Sequence, residues 1–163
     1  MPRTRRATRR RRSSRPRRAA MPAPPPPPAR FLFWTEEKLR VSDTDMNGHV
    51  NNGAIGAFCE AGRAELMLAV AGPPETRAVR MAVARVEIDY LREIHYPGRV
   101  RIGTAVARIG RSSITVEQGL FLDEACFATS VGVMVMLDPT TRRPTEMPAA
   151  LREGFAALAP RAA

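Results

Sequence analysis

The spacing of apolar residues changes about halfway along the chain, from a helical period to alternation. Small and apolar residues fill positions 51–70, and Gly72-Pro73-Pro74 follows them, which predicts one long helix that ends near Val70. After residue 80, apolar and polar residues alternate in segments separated by short turns, which is typical of β-strands. The predicted strands are residues 31–41, 80–93, 99–108, 113–122 and 125–137, and a short terminal helix is predicted over residues 148–158.

Two of these segments indicate how the elements pack. The long helix contains small residues such as Gly53, Gly56 and Gly62, which allow a sheet to approach a buried helix closely. Residues 131–137 are almost all apolar, which predicts a strand buried on both faces. A buried helix followed by consecutive strands predicts an α+β fold, in which an antiparallel sheet wraps around a central helix. A doubly wound parallel sheet is disfavoured, because it needs a helix between successive strands.

The formal net charge of +10 comes from the N-terminal tail. Ten of the 26 basic residues lie within residues 1–20, so residues 21–163 carry 16 basic and 16 acidic residues. The tail has too few apolar residues to offset the entropy lost on ordering, and a proline run follows it. Residues 1–30 are therefore predicted to form a disordered Arg-rich and Pro-rich arm before a folded domain over residues 31–158. Two interpretations of the arm are open: residues 1–20 bind nucleic acid or anionic lipid nonspecifically, or translation starts after them and they have no role.

The two cysteines and the hydropathy of the chain indicate the cellular compartment of the protein. Cys59 and Cys126 lack the spacing of a metal site or a disulfide framework, and both lie among apolar residues. Buried thiols of this kind are typical of a reducing compartment, and no segment has the length and hydropathy of a membrane span. We therefore expect a cytoplasmic protein.

The residues most suited to chemistry lie in the segment Asp45-Met46-Asn47-Gly48-His49-Val50-Asn51-Asn52. The segment places a carboxylate, an amide and an imidazole at alternate positions just before the long helix. The backbone N–H groups and the dipole of a helix start favour developing negative charge. A turn needs at most one of these polar side chains, so the segment predicts an acid/base site.

This segment and the predicted layout resemble the hotdog-fold thioesterases, in particular the 4-hydroxybenzoyl-CoA-thioesterase-like acyl-CoA thioesterases. Residues 42–52 look like the signature segment of that family, Glu60-Ala61-Gly62-Arg63 looks like the acidic and basic positions on its central helix, and residues 86–93 look like its second strand. The signature is also similar to that of plant acyl-ACP thioesterases. The resemblance covers roughly residues 31–155 and implies a hotdog fold.

The resemblance also assigns roles to individual residues. Asp45 matches the catalytic carboxylate, either as a general base on water or as a nucleophile that attacks the thioester carbon. His49 and Asn47 are implied to position the reactants. Asn51 and Asn52 are expected mainly to cap the helix and to align the N–H groups that polarise the thioester carbonyl. Glu93 matches an additional acidic residue of the acyl-ACP thioesterases more weakly, and a solvated charge is its alternative.

Two further polar sites are predicted to be structural. His95-Tyr96-Pro97-Gly98 is similar to a catalytic run of hotdog dehydratases, but here it follows the central helix, so His95 is interpreted as part of a turn. Glu60 and Arg63 are three residues apart and could form a local ion pair on one helix face. Alternatively, Glu60 reaches the active site of a second subunit.

Taken with the resemblance, the sequence implies hydrolysis of an acyl-CoA to a free carboxylic acid and CoA. The alternatives are an acyl-ACP thioesterase and a non-hydrolytic hotdog protein, either a dehydratase or hydratase or an acyl-CoA-binding protein. The resemblance implies a homodimer or a dimer of dimers with sites at the subunit interface, no metal and no bound cofactor. The acyl chain length stays open.

Overall fold

The computed structural model describes residues 24–162, so most of the predicted arm lies outside the described residues. Five strands and two helices make up the fold: β1 (Phe33–Lys38), α1 (Asn52–Ala71), β2 (Arg80–Tyr90), β3 (Arg99–Ile109), β4 (Ser113–Leu122), β5 (Ala125–Leu137) and α2 (Ala149–Ala156). Short 3-10 helices occur at Pro28–Arg30, Val41–Asp43 and Pro74–Thr76.

The five strands form one antiparallel sheet in the order β1-β3-β4-β5-β2. Helix α1 lies against the inner face of this sheet, where it contacts β3, β1 and β4. This arrangement confirms the predicted α+β fold with a helix of 20 residues at its centre. Strand β2 is one edge of the sheet, and it follows α1 after the 3-10 helix Pro74–Thr76.

The core between α1 and the sheet has an apolar cluster at each end of the helix. One surrounds Phe58 near the start of α1, and the other surrounds Leu66 near its end. Between them lies a buried layer of polar side chains, which consists of Arg63, Thr104, Gln118 and Ser130.

The close approach of helix and sheet depends on Gly62. A Cβ atom at this position would lie 2.6 Å from Nε2 of Gln118 and 2.8 Å from Cγ2 of Ile102. The expectation that small helix residues permit close packing is met at this position.

The outer face of the sheet carries a third, smaller apolar cluster that the sequence pattern does not indicate. The ring of Phe31 covers Gly103 and Gly119, which are paired across β3 and β4. Trp34 and Phe121 pack edge-on or tilted against Phe31 and each other, with ring centroids 5.6–6.1 Å apart. The segment before β1 is thereby held on the sheet, and Arg30 adds a 2.7 Å salt bridge to Glu117.

The predicted second strand is too long and its alternation is interrupted. Strand β2 ends at Tyr90 instead of Glu93, because the N–H groups of Leu91 and Arg92 both turn to the carbonyl of Phe127 and the chain leaves the ladder. A register shift between Val83 and Arg85 breaks the alternation of faces within the strand.

The limits of two other elements, and the burial of one strand, also differ from the sequence prediction. Strand β1 covers only Phe33–Lys38, since Phe31 crosses the outer face, and α2 begins after Pro148 and ends at Ala156. Strand β5 is not buried on both faces. Gly132, Met134 and Met136 are buried on the inner face, whereas the intervening valines are partly exposed. A run of apolar residues therefore marks a strand here without showing that both faces are covered.

Across residues 24–162, no helix is long and apolar enough to cross a membrane.

Candidate functional site

The loop before α1 folds around the carboxylate of Asp45. Its Oδ1 accepts hydrogen bonds from the backbone N–H of Asn47 at 2.8 Å and of His49 at 3.3 Å. The N–H of Asp45 donates to the carbonyl of His49 at 2.8 Å, and Gly48 occupies a left-handed conformation with φ +80°. One carboxylate oxygen thus holds the turn, and Oδ2 is the oxygen left for other partners.

Helix α1 begins immediately after this loop. Asn51 is its N-cap: the side-chain oxygen accepts from the N–H of Gly53 at 2.7 Å, and the backbone N–H of Asn51 donates to the carbonyl of Asp43 at 2.8 Å. The first intrahelical bond runs from Ile55 to the carbonyl of Asn51. Asn52 and Ala54 therefore present the first-turn N–H groups that neither the helix nor its cap satisfies within residues 24–162.

A cavity of about 440 Å³ opens between this helix start and the segment that follows β2. The two walls are joined by a 2.9 Å hydrogen bond from the N–H of Val50 to the carbonyl of Ile94. The lining of the cavity combines polar side chains with the buried apolar side chains of Val50, Ile55 and Ile94, which suits a ligand with a polar reacting group and an apolar part. The lining residues are Asp45, His49, Val50, Asn52, Ile55, Tyr90, Leu91, Arg92, Glu93 and Ile94.

Two histidines and a glutamate meet at the rim of this cavity. The Nε2 atom of His49 lies 3.4 Å from Oε2 of Glu93, and the rings of His49 and His95 pack edge to face with centroids 4.9 Å apart. The Nδ1 atom of His95 lies 3.0 Å from the carbonyl oxygen of Gly48. We call Asp45, His49, Glu93 and His95 the loop cluster.

The predicted site residues divide into two groups. Asp45, His49, Asn52 and Glu93 all line the cavity. Asn47 and Asn51 are not among its lining residues. The backbone of Asn47 forms the turn while Asn51 caps the helix.

His95 is the residue that sequence reasoning placed only in a turn. The turn is present, with a cis Tyr96–Pro97 bond, but the same residue also brings a ring against His49. The available signal was that the only two histidines of the chain both neighbour candidate site residues, His49 within the signature and His95 two positions after Glu93.

The expectation of a local ion pair between Glu60 and Arg63 is wrong. Arg63 is buried and its guanidinium donates to Oε1 of Gln118 at 3.1 Å, whereas Glu60 is exposed. No salt bridge joins the two among the described residues. Packing of α1 on the sheet directs Arg63 inward, and helix spacing alone does not indicate this direction.

The cysteines are unsuited to nucleophilic chemistry. Burial raises the pKa of the Cys59 thiol, an effect that Ser130 and Arg63 only partly oppose, and burial likewise raises the pKa of Cys126. Both thiols are therefore protonated at neutral pH, and the carboxylates and imidazoles of the loop cluster remain as the candidate reactive groups.

Comparison with known proteins places the chain in a family. Residues 39–155 match the sequence model of the thioesterase-like superfamily. The chain is 32% identical to the protein YsmA of Bacillus subtilis over 109 residues, which are 66% of this chain and 74% of YsmA.

Two solved structures agree with this assignment. The PA5185 protein of Pseudomonas aeruginosa is 30% identical with a TM-score of 0.79, and the match covers 86% of this chain and 100% of that one. A thioesterase of Thermus thermophilus, solved in complex with coenzyme A and zinc, is 31% identical with a TM-score of 0.69, and the match covers 77% of this chain and 98% of that one. By sequence and by its hotdog fold, the chain belongs to the thioesterase-like superfamily.

Proposed function

We propose that this protein hydrolyses an acyl-CoA thioester to the free carboxylic acid and CoA. The observation that carries the proposal is the position of Asp45. Its carboxylate is clamped by two backbone N–H groups at the wall of a cavity of about 440 Å³, directly before the N-terminus of α1. Membership of the thioesterase-like superfamily supports thioester hydrolysis as the reaction class.

The proposed chemistry divides the work among three groups. In one route Oδ2 of Asp45 accepts a proton from water as that water attacks the thioester carbon, the C–S bond then breaks, and the CoA thiolate leaves and takes up this proton. In the other route Oδ2 attacks the carbon itself and expels the CoA thiolate, and water then hydrolyses the resulting anhydride to release the acid and restore Asp45, with the proton from that water going to the thiolate. In both routes the carbonyl oxygen gains negative charge. The N–H of Asn52, with the positive end of the α1 dipole, is suited to stabilise this charge. His49 orients the water or the thioester, and Glu93 holds its ring in place.

The earlier roles of the asparagines are refined in this proposal. Asn51 acts indirectly, by fixing the start of α1, while Asn52 supplies a backbone donor at the cavity. Asn47 contributes its backbone N–H to the turn that positions Asp45. None of these roles requires the asparagine side chains to react.

The coenzyme A bound to the Thermus thermophilus relative supports CoA as the thiol half of the substrate. The same relative holds zinc, which supports a transition-metal ion as a second kind of ligand for this chain. Acyl-ACP remains the alternative acyl donor, since its thioester would present the same carbonyl group to Asp45.

We also propose that the protein acts as a homodimer joined through β2. This strand pairs only with β5 within the described sheet, and its other edge is open. Val83, Val86 and Tyr90 on this strand are 49%, 38% and 50% exposed, an unusual amount of apolar surface for an unpaired edge. Because β2 leads into the cavity wall, a partner subunit there would narrow the site. A sedimentation mass of a single chain would contradict this part of the proposal.

A panel of thioesters tests the reaction. Release of free thiol is followed with the full-length protein and acyl-CoAs of short, medium and long chain, with aromatic acyl-CoAs, and with acyl-ACP. We expect turnover of at least one CoA ester well above the rate without enzyme. Thiol release from acyl-ACP alone would replace CoA by ACP as the substrate class, and no release from any ester would contradict hydrolysis.

A further inference from the structure

The loop cluster contains three side chains that can bind a metal ion, and the proposed hydrolysis does not use all of them. One ligand atom from each of His49, Glu93 and His95 lies within 4.8 Å of the other two. Positioning of a thioester would use His49 and its carboxylate partner, but it gives no role to His95. Two imidazoles and one carboxylate on one rim form a donor set typical of transition-metal sites in proteins.

The hydrogen bond of His95 prepares its ring for ligation. Nδ1 of His95 lies 3.0 Å from the carbonyl oxygen of Gly48, so a neutral ring donates its Nδ1–H there and keeps the lone pair on Nε2. Metal-binding histidines usually have such an outer hydrogen bond from the nitrogen that does not bind the metal. The carbonyl of Gly48 thus selects the tautomer that a metal ion requires.

The distances are compatible with one shared ion. Metal bonds of about 2.0–2.2 Å to nitrogen and carboxylate oxygen place two ligand atoms roughly 3–4 Å apart. The 3.4 Å separation of His49 Nε2 and Glu93 Oε2 already lies in that range. The side chain of Glu93 is 70% exposed and His95 is also exposed, so core packing does not fix the positions of these two ligands around a shared ion.

The surrounding charge permits a divalent ion. Asp45 lines the cavity together with the donor Glu93, and Arg92 is the one Arg or Lys on its wall in the described structure. A cation would therefore meet two carboxylates and one guanidinium. A simple ion pair between His49 and Glu93 would explain the contact of these two residues, but it gives no role to the second imidazole.

We propose that His49, Glu93 and His95 form a binding site for a divalent transition-metal ion of the zinc type. Three protein ligands leave at least one coordination position open toward the cavity, as in zinc sites that bind a water or a substrate atom. An ion bound to Nε2 of His49 occupies the lone pair of that nitrogen. While the ion is bound, this nitrogen cannot accept a hydrogen bond.

Titration of zinc chloride into the metal-stripped full-length protein tests this site without any substrate. We expect one ion per chain by calorimetry at pH 7.5. His95→Gln and Glu93→Gln each remove one ligand and should weaken binding at least tenfold. Glu124→Gln is the matched control, since Glu124 is an exposed glutamate that does not line the cavity, and this variant should bind zinc as the unaltered protein does.

Circular dichroism of each variant establishes that it is folded before binding is compared. Absence of zinc binding by the unaltered protein would overturn the proposal. Equal binding by the folded His95→Gln and Glu93→Gln variants would also overturn it, since the ion would then lie elsewhere. These outcomes are independent of thiol release, so the metal site and the proposed hydrolysis fail or succeed separately.

Discussion

Helix α1 touches two groups of polar side chains that differ in burial, and the difference separates stability from chemistry. The buried layer of Arg63, Thr104, Gln118 and Ser130 lies against the middle of the helix, where each residue is at most 6% exposed. The loop cluster lies at the helix start, where His49 is 32% exposed and Glu93 is 70% exposed in their side chains. One group is sealed inside the core, and the other faces a cavity.

The hydrogen bonds of the two groups reflect this difference. Gln118 joins Arg63 and Thr104 in the buried layer: its Oε1 accepts from Arg63, and its Nε2 donates to the carbonyl of Cys59 at 3.0 Å and to Oγ1 of Thr104 at 3.3 Å, whereas Oγ of Ser130 has no partner among the described residues. In the loop cluster, backbone groups hold Asp45 and His95, and part of each side chain remains open to solvent or ligand. Changes in the first group should therefore cost stability, and changes in the second should cost activity.

The largest expected loss of stability follows from Gln118→Ala. The substitution leaves the buried guanidinium of Arg63 without its side-chain acceptor and creates a cavity, which together should lower the free energy of unfolding by about 3 kcal/mol. Urea denaturation measures the change. The double variant Arg63→Met with Gln118→Leu removes charge and partner together and should recover most of the loss. A loss below about 1 kcal/mol in Gln118→Ala would show that the layer is not a stabilising network.

His49→Gln should produce the opposite pattern. Loss of the imidazole at the cavity should lower the turnover number about 100-fold, the size expected when a polar group that assists the reaction is removed. The free energy of unfolding should change by no more than about 0.5 kcal/mol, because the side chain is partly exposed. Thiol-release kinetics and urea denaturation of the same preparation measure both. Full activity with reduced stability would place His49 with the structural residues.

Asn51→Ala should give the smallest effect, since Asn51 acts only through the helix start. Loss of its bond to the N–H of Gly53 should cost about 1 kcal/mol of stability. Asn51→Asp keeps an acceptor at the cap and is the control, with stability close to that of the unaltered protein. Thermal denaturation followed by circular dichroism distinguishes the two variants. Equal melting temperatures for Asn51→Ala and the unaltered protein would show that the cap is dispensable.

Local sequence patterns predicted the secondary structure and the helix start well. The spacing of residues 51–70 and the Gly-Pro-Pro stop predicted α1 to within one residue at each end, and the limits of β4 and β5 agree with the structure. These features depend on neighbours in the chain, so a single sequence contains the information. The end of β2 was missed because it depends on the carbonyl of Phe127, on another strand.

Contacts between distant segments could not be predicted from the same patterns. The buried layer depends on which face of α1 meets β4. Helix spacing alone indicates a local ion pair of Arg63 with Glu60, whereas the partner of Arg63 is Gln118, 55 residues away. The approach of His95 to His49 has the same origin, because the loop after β2 returns to the loop before α1. The roles of Asp45, His49 and Glu93 stay predictions. The structure shows in addition that all three line one cavity.

The central claim is that the Asp45 carboxylate performs the reaction and is not only a turn residue. Asp45→Asn keeps the Oδ1 acceptor for the N–H groups of Asn47 and His49 but removes the negative charge. Asp43→Asn is the matched control, because Asp43 also accepts a backbone hydrogen bond, from Arg40 at 2.7 Å, but does not line the cavity.

The decisive measurement is the turnover number for thiol release by these two variants, on the acyl-CoA that the unaltered protein hydrolyses fastest. We predict a loss of at least about 100-fold for Asp45→Asn, with stability nearly unchanged, and a loss of less than about threefold for Asp43→Asn. Full activity of a folded Asp45→Asn variant would contradict the account.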